Sequence, residues 1–278
     1  MHFLLFLLLI PGVFAQELST VNENVTKIIS EENLAEKLRP DRVTYFTIFT
    51  GPSFGNFNDP VNEEGEIQNN DVNTWMQISL QYKMDNGYHF VVNPRFVMNH
   101  NPAEDEKTLT YDSPVFGIIG TWYENGNLSF GGGLNTILPA FRTRGAREDG
   151  LLINPGGFQS LSYKVSDTFS IGSWLWARAY LYNKSTNETG EERAEFFLAP
   201  RVTKIFSDKI SATAFYQING DLKNTWETRI PDNESLNLMF SYSVSEKLNI
   251  EPMITLFRES SFKVSEANLN VWLSGRFF

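Results

Sequence analysis

Three observations in the 278-residue sequence predict an all-β fold, a transmembrane antiparallel up-and-down β-barrel of 12 strands with a short N-terminal helical segment. Apolar and polar residues alternate at every second position along runs of eight to fourteen residues. The connections between these runs alternate between three or four residues and about ten or more. Hydrophobic content of 41% with a mean hydropathy of −0.27 excludes a helical membrane bundle but suits strands that are apolar on one face only.

The first element is residues 1–15, predicted to be a signal peptide. Phe3 to Ile10 is unbroken apolar sequence, Pro11-Gly12 interrupts it, and Val13-Phe14-Ala15 supplies small residues before Gln16. The run is too short for a permanent membrane helix, although Met1-His2 lacks the usual basic residue. Residues 16–42 are predicted to be a partly helical periplasmic tail or plug. Ser30 can cap a helix, Glu31 and Glu32 suit its positive dipole end, Leu34 and Leu38 share a face, and Arg39-Pro40 ends it.

The predicted barrel occupies 43–278. Its clearest strand is 74–84, where Met76, Ile78, Leu80, Tyr82 and Met84 alternate with Trp75, Gln77, Ser79, Gln81 and Lys83. Asp85-Asn86-Gly87 is a tight-turn signal, and Tyr88 to Met98 resumes the alternation. Soluble strands usually run about five or six residues, whereas eleven suit a tilted bilayer crossing. Four more hairpins follow: Val115–Tyr123 with Leu128–Leu138, Phe158–Val165 with Phe169–Tyr182, Ala194–Ile205 with Ile210–Ile218, and Leu236–Val244 with Leu248–Leu256. Val43–Thr50 and Asn268–Phe278 complete the twelve. An even number brings the last strand beside the first, so no edge stays unpaired in lipid. The longer connections are expected near 51–73, 99–114, 139–157, 183–193, 219–235 and 257–267.

Short turns on one rim, long polar connections on the other and the terminal sequence Leu269-Asn-Val-Trp-Leu273-Ser-Gly-Arg-Phe277-Phe278 carry a resemblance. The chain resembles Gram-negative outer-membrane β-barrels of the porin-like class, over the signal region and 43–278. The resemblance implies location in the bacterial outer membrane, contact with outer-membrane lipids and lipopolysaccharide, and handling by the outer-membrane assembly machinery. Such chains typically end in Phe with apolar residues alternating backward. Here the aliphatic register falls on Phe277, Leu273, Val271 and Leu269, so either Phe278 is bulged or Phe277 takes its part.

Net charge is −10, from 33 acidic and 23 basic residues, which argues against nucleic acid as a partner. The charges divide unevenly. The long connections carry 20 acidic and 10 basic residues, whereas the strands carry two acidic and seven basic. Lys204 shares parity with Phe196 and Leu198 near a turn, so it is expected to snorkel at the lipid rim. The expected channel-lining set is therefore Lys83, Arg95, Lys164, Arg178, Arg201 and Arg276 with Glu195 and Glu251. One-sign charge on a low-dielectric wall concentrates counter-ions, which points to passage of small anionic or sugar-acid-like solutes. The alternative is a narrow barrel whose inward cations only fill it.

Two further features bear on passage. The connection 139–157 holds Arg142, Arg144 and Arg147; the resemblance implies a possible constriction loop here, since in many porins a loop at this point folds inward, and the alternative is a surface loop binding lipopolysaccharide phosphates. Trp174, Trp176, Tyr180 and Tyr182 share parity with Arg178. They face the lumen if that arginine avoids lipid, or the lipid girdle if the register is opposite.

Catalysis has little support. The chain has no cysteine, so it has no disulfide, Cys-zinc site or thiol nucleophile. No P-loop or HExxH motif occurs. His100 with Glu104 or Asp105 could form an acid–base pair at the outer rim, and His89 follows a short turn. No cofactor and no metal site is expected, because the acidic stretches Asp59–Asp71 and Glu104-Asp105-Glu106 lack calcium-loop spacing. An outer-membrane barrel hydrolase (lipase or protease) and a structural or adhesive barrel remain the alternative readings.

Overall fold

The structure, a computed structural model, describes residues 39–53, 72–101, 106–137, 151–182, 192–223 and 228–277. The expected signal peptide, the 16–38 segment, and Arg142, Arg144 and Arg147 lie outside the described residues. Twelve strands follow in order: β1 Arg42–Ser53, β2 Val72–Lys83, β3 His89–Asn101, β4 Glu106–Asn125, β5 Leu128–Ile137 and β6 Leu151–Ser166. Next come β7 Phe169–Ala179, which resumes after a break at Tyr180 as Leu181–Tyr182, β8 Glu192–Ser207 and β9 Ile210–Lys223. Then β10 Thr228–Ser245, β11 Leu248–Phe257 and β12 Asn268–Arg276 complete the set, with a 3-10 turn at Val264–Glu266.

Every strand pairs antiparallel with the next, β5 joins β6, and β12 returns to β1, so the sheet closes. Closure satisfies each backbone donor and acceptor within the ladder, which lipid demands because it offers no replacement. Register partners in such a ladder point to the same face. Phe90, Ile118 and Leu134 are successive partners and all are exposed. Ile171, Val202, Leu238 and Phe240 are likewise exposed on the outer face. A continuous exposed apolar surface of this extent requires an apolar surround. On the inner face Thr213, Met239, Met253 and Asn270 are successive partners, and all four are buried.

Local chemistry fixes the joints. At the β2–β3 turn Gly87 has φ +83°, the left-handed region that a side chain disfavours, while Met84 N–H donates to the Tyr88 carbonyl at 2.7 Å. On the outer face the Tyr45 ring lies over Gly275 and the Tyr88 ring over Gly120, each occupying the space a Cβ would need. Phe277 N–H donates to the Val43 carbonyl at 3.0 Å and its ring meets Tyr45 at 5.2 Å. The terminal apolar register therefore runs through Phe277.

One set of expectations is corrected. Much of 99–114 and 219–235 is strand rather than loop, since β4 begins at Glu106, β9 reaches Lys223 and β10 begins at Thr228. The 20 residues of β4 would extend about 65 Å at the usual rise, well beyond an apolar band of about 25 Å even when tilted. Past the lipid boundary both faces are wet. The hydrogen-bond ladder continues there without an apolar face, so the period-two signal disappears while the strand does not.

Candidate functional site

The inside of the barrel is where side chains of different strands converge. Register puts Lys83 beside His89, Arg95 beside Gln77, Lys164 beside Ser170, and Arg178 beside Glu195 on the inner face. Arg201 pairs with Phe215, Glu251 with Trp272, and Arg276 with Thr44, also inward. Lys204 faces outward at the short-turn rim, where its Nζ donates to Thr168 Oγ1 at 2.9 Å. Among residues with described side chains, four charged residues outside the expected set also take inward register: Arg42 beside Gln81, Glu124 beside Ser129, Asp221 beside Glu195, and Arg193 opposite Tyr180. Among strand residues with described side chains, those placed inward thus number eight basic and four acidic, so the positive excess survives.

Arg201 sits at mid-wall. Its guanidinium carbon lies 4.3 Å from the Trp174 ring centre, and Nη2 donates to Ser160 Oγ at 3.3 Å across two strand spacings. Arg178 similarly lies over Trp176 at 5.1 Å. A cation held over an aromatic face keeps its charge while partly shielded from water. Trp174, Trp176 and Arg178 share the inner face, and Tyr180 donates to Glu195 Oε1 from beyond the strand break.

An apolar belt adjoins these groups. Ala199, Phe215, Met239 and Met253 are buried together, with Trp174, Phe197 and Trp272 packed against them. Phe46 extends the belt, meeting Trp272 edge-on at 5.3 Å and Trp75 at 5.8 Å. Beside it runs a polar ladder: Thr255 donates to Asn237 Oδ1 at 2.7 Å, Asn237 to Ser235 Oγ at 3.0 Å, and Asn270 to Thr255 Oγ1 at 3.1 Å. Such a ladder satisfies buried polar groups on a surface that excludes water.

Sequence reasoning missed this belt and Asp221. Alternation identifies a wet face by its polar residues, and Phe215, Met239, Met253 and Phe46 break that pattern on the inner side. The available signal was apolarity on both faces of one strand, as in Phe169–Tyr182, where inward Trp174 and Trp176 oppose outward Ile171 and Leu175. Of the suggested rim pair, His100 is a register partner of Lys107 in the β3–β4 ladder, while Glu104 and Asp105 lie outside the described residues.

No protein-family model matches the chain. No curated protein matches it either. Among solved structures, the COG4313 outer membrane channel from Pseudomonas putida F1 superposes with a TM-score of 0.54 at 9% identity, covering 86% of this chain and 96% of that one. The NanC porin matches with a TM-score of 0.49 at 7% identity, over 84% of this chain and 98% of that one. The KdgM porin matches at 0.45 and 10% identity, over 85% and 99%. Identity at this level speaks to architecture alone. The chain has the fold of the COG4313 outer membrane channel, a closed twelve-stranded antiparallel barrel.

Proposed function

We propose that the protein is a passive channel of the bacterial outer membrane that admits small anionic solutes, acidic sugars among them. The observation that carries this reading is the inward register of the strand cations. Lys83, Arg95, Lys164, Arg178, Arg201 and Arg276 share the inner face, against fewer acids, in a chain that is acidic overall. A positive wall bounded by low-dielectric lipid raises the concentration of anions inside and lowers that of cations. Aromatic faces beside guanidinium groups, Trp174 with Arg201 and Trp176 with Arg178, also suit a flat, partly apolar anion.

The test is a reversal potential across a planar bilayer holding refolded protein in a potassium chloride gradient. Chloride preference is expected. Cation preference, or an insulating barrel, would overturn the proposal.

A further inference from the structure

The outer face carries one amide where lipid should lie. Gln159 shares the outward parity of Leu161 and Tyr163 on β6, both exposed, and its register partners are Gly132 on β5 and Leu175 on β7. Other strand amides, such as Gln77, Asn93, Asn135 and Asn237, point inward. Its depth follows from strand geometry. Tyr163 lies four residues toward the short-turn rim, and Ile153 lies six residues the other way, still paired with exposed Leu181. At about 3.3 Å per residue and a tilt of about 40°, Gln159 is about 10 Å from the first level and about 15 Å from the second, near the middle of an apolar band of about 25 Å.

An amide at that depth does not reach water, and lipid tails offer it no hydrogen bond. Among the described residues its side chain has no hydrogen-bond partner either. Ser173, also outward, differs, because its hydroxyl donates to the Trp174 carbonyl at 3.4 Å. The surface around Gln159 is flat. Gly132 and Gly157 have no side chain, and Ala177, the partner of Gly157, has only a methyl. Small residues let two membrane-embedded backbones approach closely, and a polar residue among them supplies a bond that lipid cannot. The missing partner must both donate and accept. A second amide does both, and a second copy inserted in the same direction carries one at the same depth. Two copies related by a twofold axis along the membrane normal present this same patch to each other. Near that axis the two amides can exchange two hydrogen bonds.

We infer that the chain forms a twofold dimer in the membrane through the outer face of β5 to β7, with Gln159 bonded to Gln159 of the second copy and Gly132, Gly157 and Ala177 setting the close approach. The assignment concerns the outer wall and is independent of what passes through the lumen. The chain has no cysteine, so Asp208→Cys at a short turn gives a single labelling site. Donor- and acceptor-labelled full-length protein is refolded together into phospholipid vesicles, and energy transfer is followed as lipid dilutes the protein. Transfer linear in acceptor fraction, the mark of a dimer, is expected. Gln159→Leu should raise the dissociation constant about tenfold, the loss of two hydrogen bonds of the strength found between membrane segments. Ala177→Trp, which places bulk on the flat face, should abolish transfer, whereas Ile254→Ala on the outer face of β11 should leave it unchanged. Circular dichroism checks refolding, and if either face variant fails to refold the other carries the test. Transfer no greater than random mixing gives, an acceptor dependence of higher order, or face variants that associate as tightly as the parent would overturn the assignment.

Discussion

Replacing Arg201 by Gln removes one positive charge from mid-wall while keeping a polar side chain at that position. The size of the effect follows from position. Arg201 is fixed on two sides, by the Trp174 ring at 4.3 Å and by Ser160 Oγ at 3.3 Å, so its charge stays at the wall instead of retreating toward bulk water. For an ion passing about 5 Å away, Coulomb's law gives about 0.8 kcal/mol at the dielectric of water and about 3 kcal/mol at an effective value near 20. With a Debye length of about 10 Å in 0.1 M salt, screening over 5 Å trims this by about 40%, but the attraction lost by chloride and the repulsion lost by potassium add in the permeability ratio. Since 1.4 kcal/mol is about a factor of ten, the chloride-to-potassium permeability ratio should fall at least about fourfold in Arg201→Gln. Arg201→Lys keeps the charge and should keep most of the ratio. Lys204→Gln, outside the lumen, should do nothing. Reversal potentials in a potassium chloride gradient measure all three. A ratio unchanged in Arg201→Gln, or an equal fall in Arg201→Lys, would refute the reasoning that the wall cation sets selectivity.

Three other outcomes follow from the packing and the sequence. Gly275→Ala would drive a Cβ into the Tyr45 ring and to 2.5 Å from the Lys247 carbonyl oxygen, so urea unfolding should show a loss of about 1–3 kcal/mol. Phe215→Ala removes the buried centre of the belt, where the ring meets Trp174 at 5.4 Å. It should cost about 3 kcal/mol in the same assay and raise single-channel conductance, since the lost volume lies on the lumen side. Replacing Arg142, Arg144 and Arg147 together by Ala should shift the reversal potential toward cation preference if that connection constricts the channel, and unchanged selectivity would remove them from the pore.

How much could be read in advance depended on whether a strand had one wet face. The β2–β3 hairpin was legible because Met76, Ile78 and Leu80 alternate with Gln77, Ser79 and Gln81, and because Asp-Asn-Gly permits the positive φ found at Gly87. Strand number and closure followed from the same alternation repeated. The inner belt was not legible, because Phe215, Met239 and Met253 pack against one another across three strands, and partners across a ladder leave no trace in local sequence. Asp221 was misplaced for a related reason. Its outward neighbours Ile218 and Leu222 are apolar, but Gly220 between them has no side chain, so Asn219-Gly220-Asp221 looks like a turn and hides the alternation. The polar ladder of Asn237, Thr255 and Asn270 shows the same limit, since each residue alone reads only as a polar strand position.

The two halves of the inner wall differ in kind, and this bears on how a charged solute could pass a belt of aromatic and thioether side chains. The belt draws on β1, β2 and β7 to β12, through Phe46, Trp75, Trp174, Phe215, Met239, Met253 and Trp272. Across β3 to β6 the inward positions mix small and polar residues, Asn93, Asn135, Gly156, Ser160 and Ser162, with the apolar Val91, Val115, Ile137 and Phe158, so this half is the more polar of the two and offers hydrogen bonds. Dehydration is expensive for an ion, so it should keep to the polar half. Arg201 stands where the halves meet, its guanidinium face on Trp174 from the belt and its Nη2 on Ser160 from the polar wall. An ion following the polar half passes it at close range. Lys83 and Arg276, by contrast, are exposed at the short-turn rim, where bulk water weakens their field. The division of the wall, rather than the total number of inward cations, is why Arg201 should dominate selectivity.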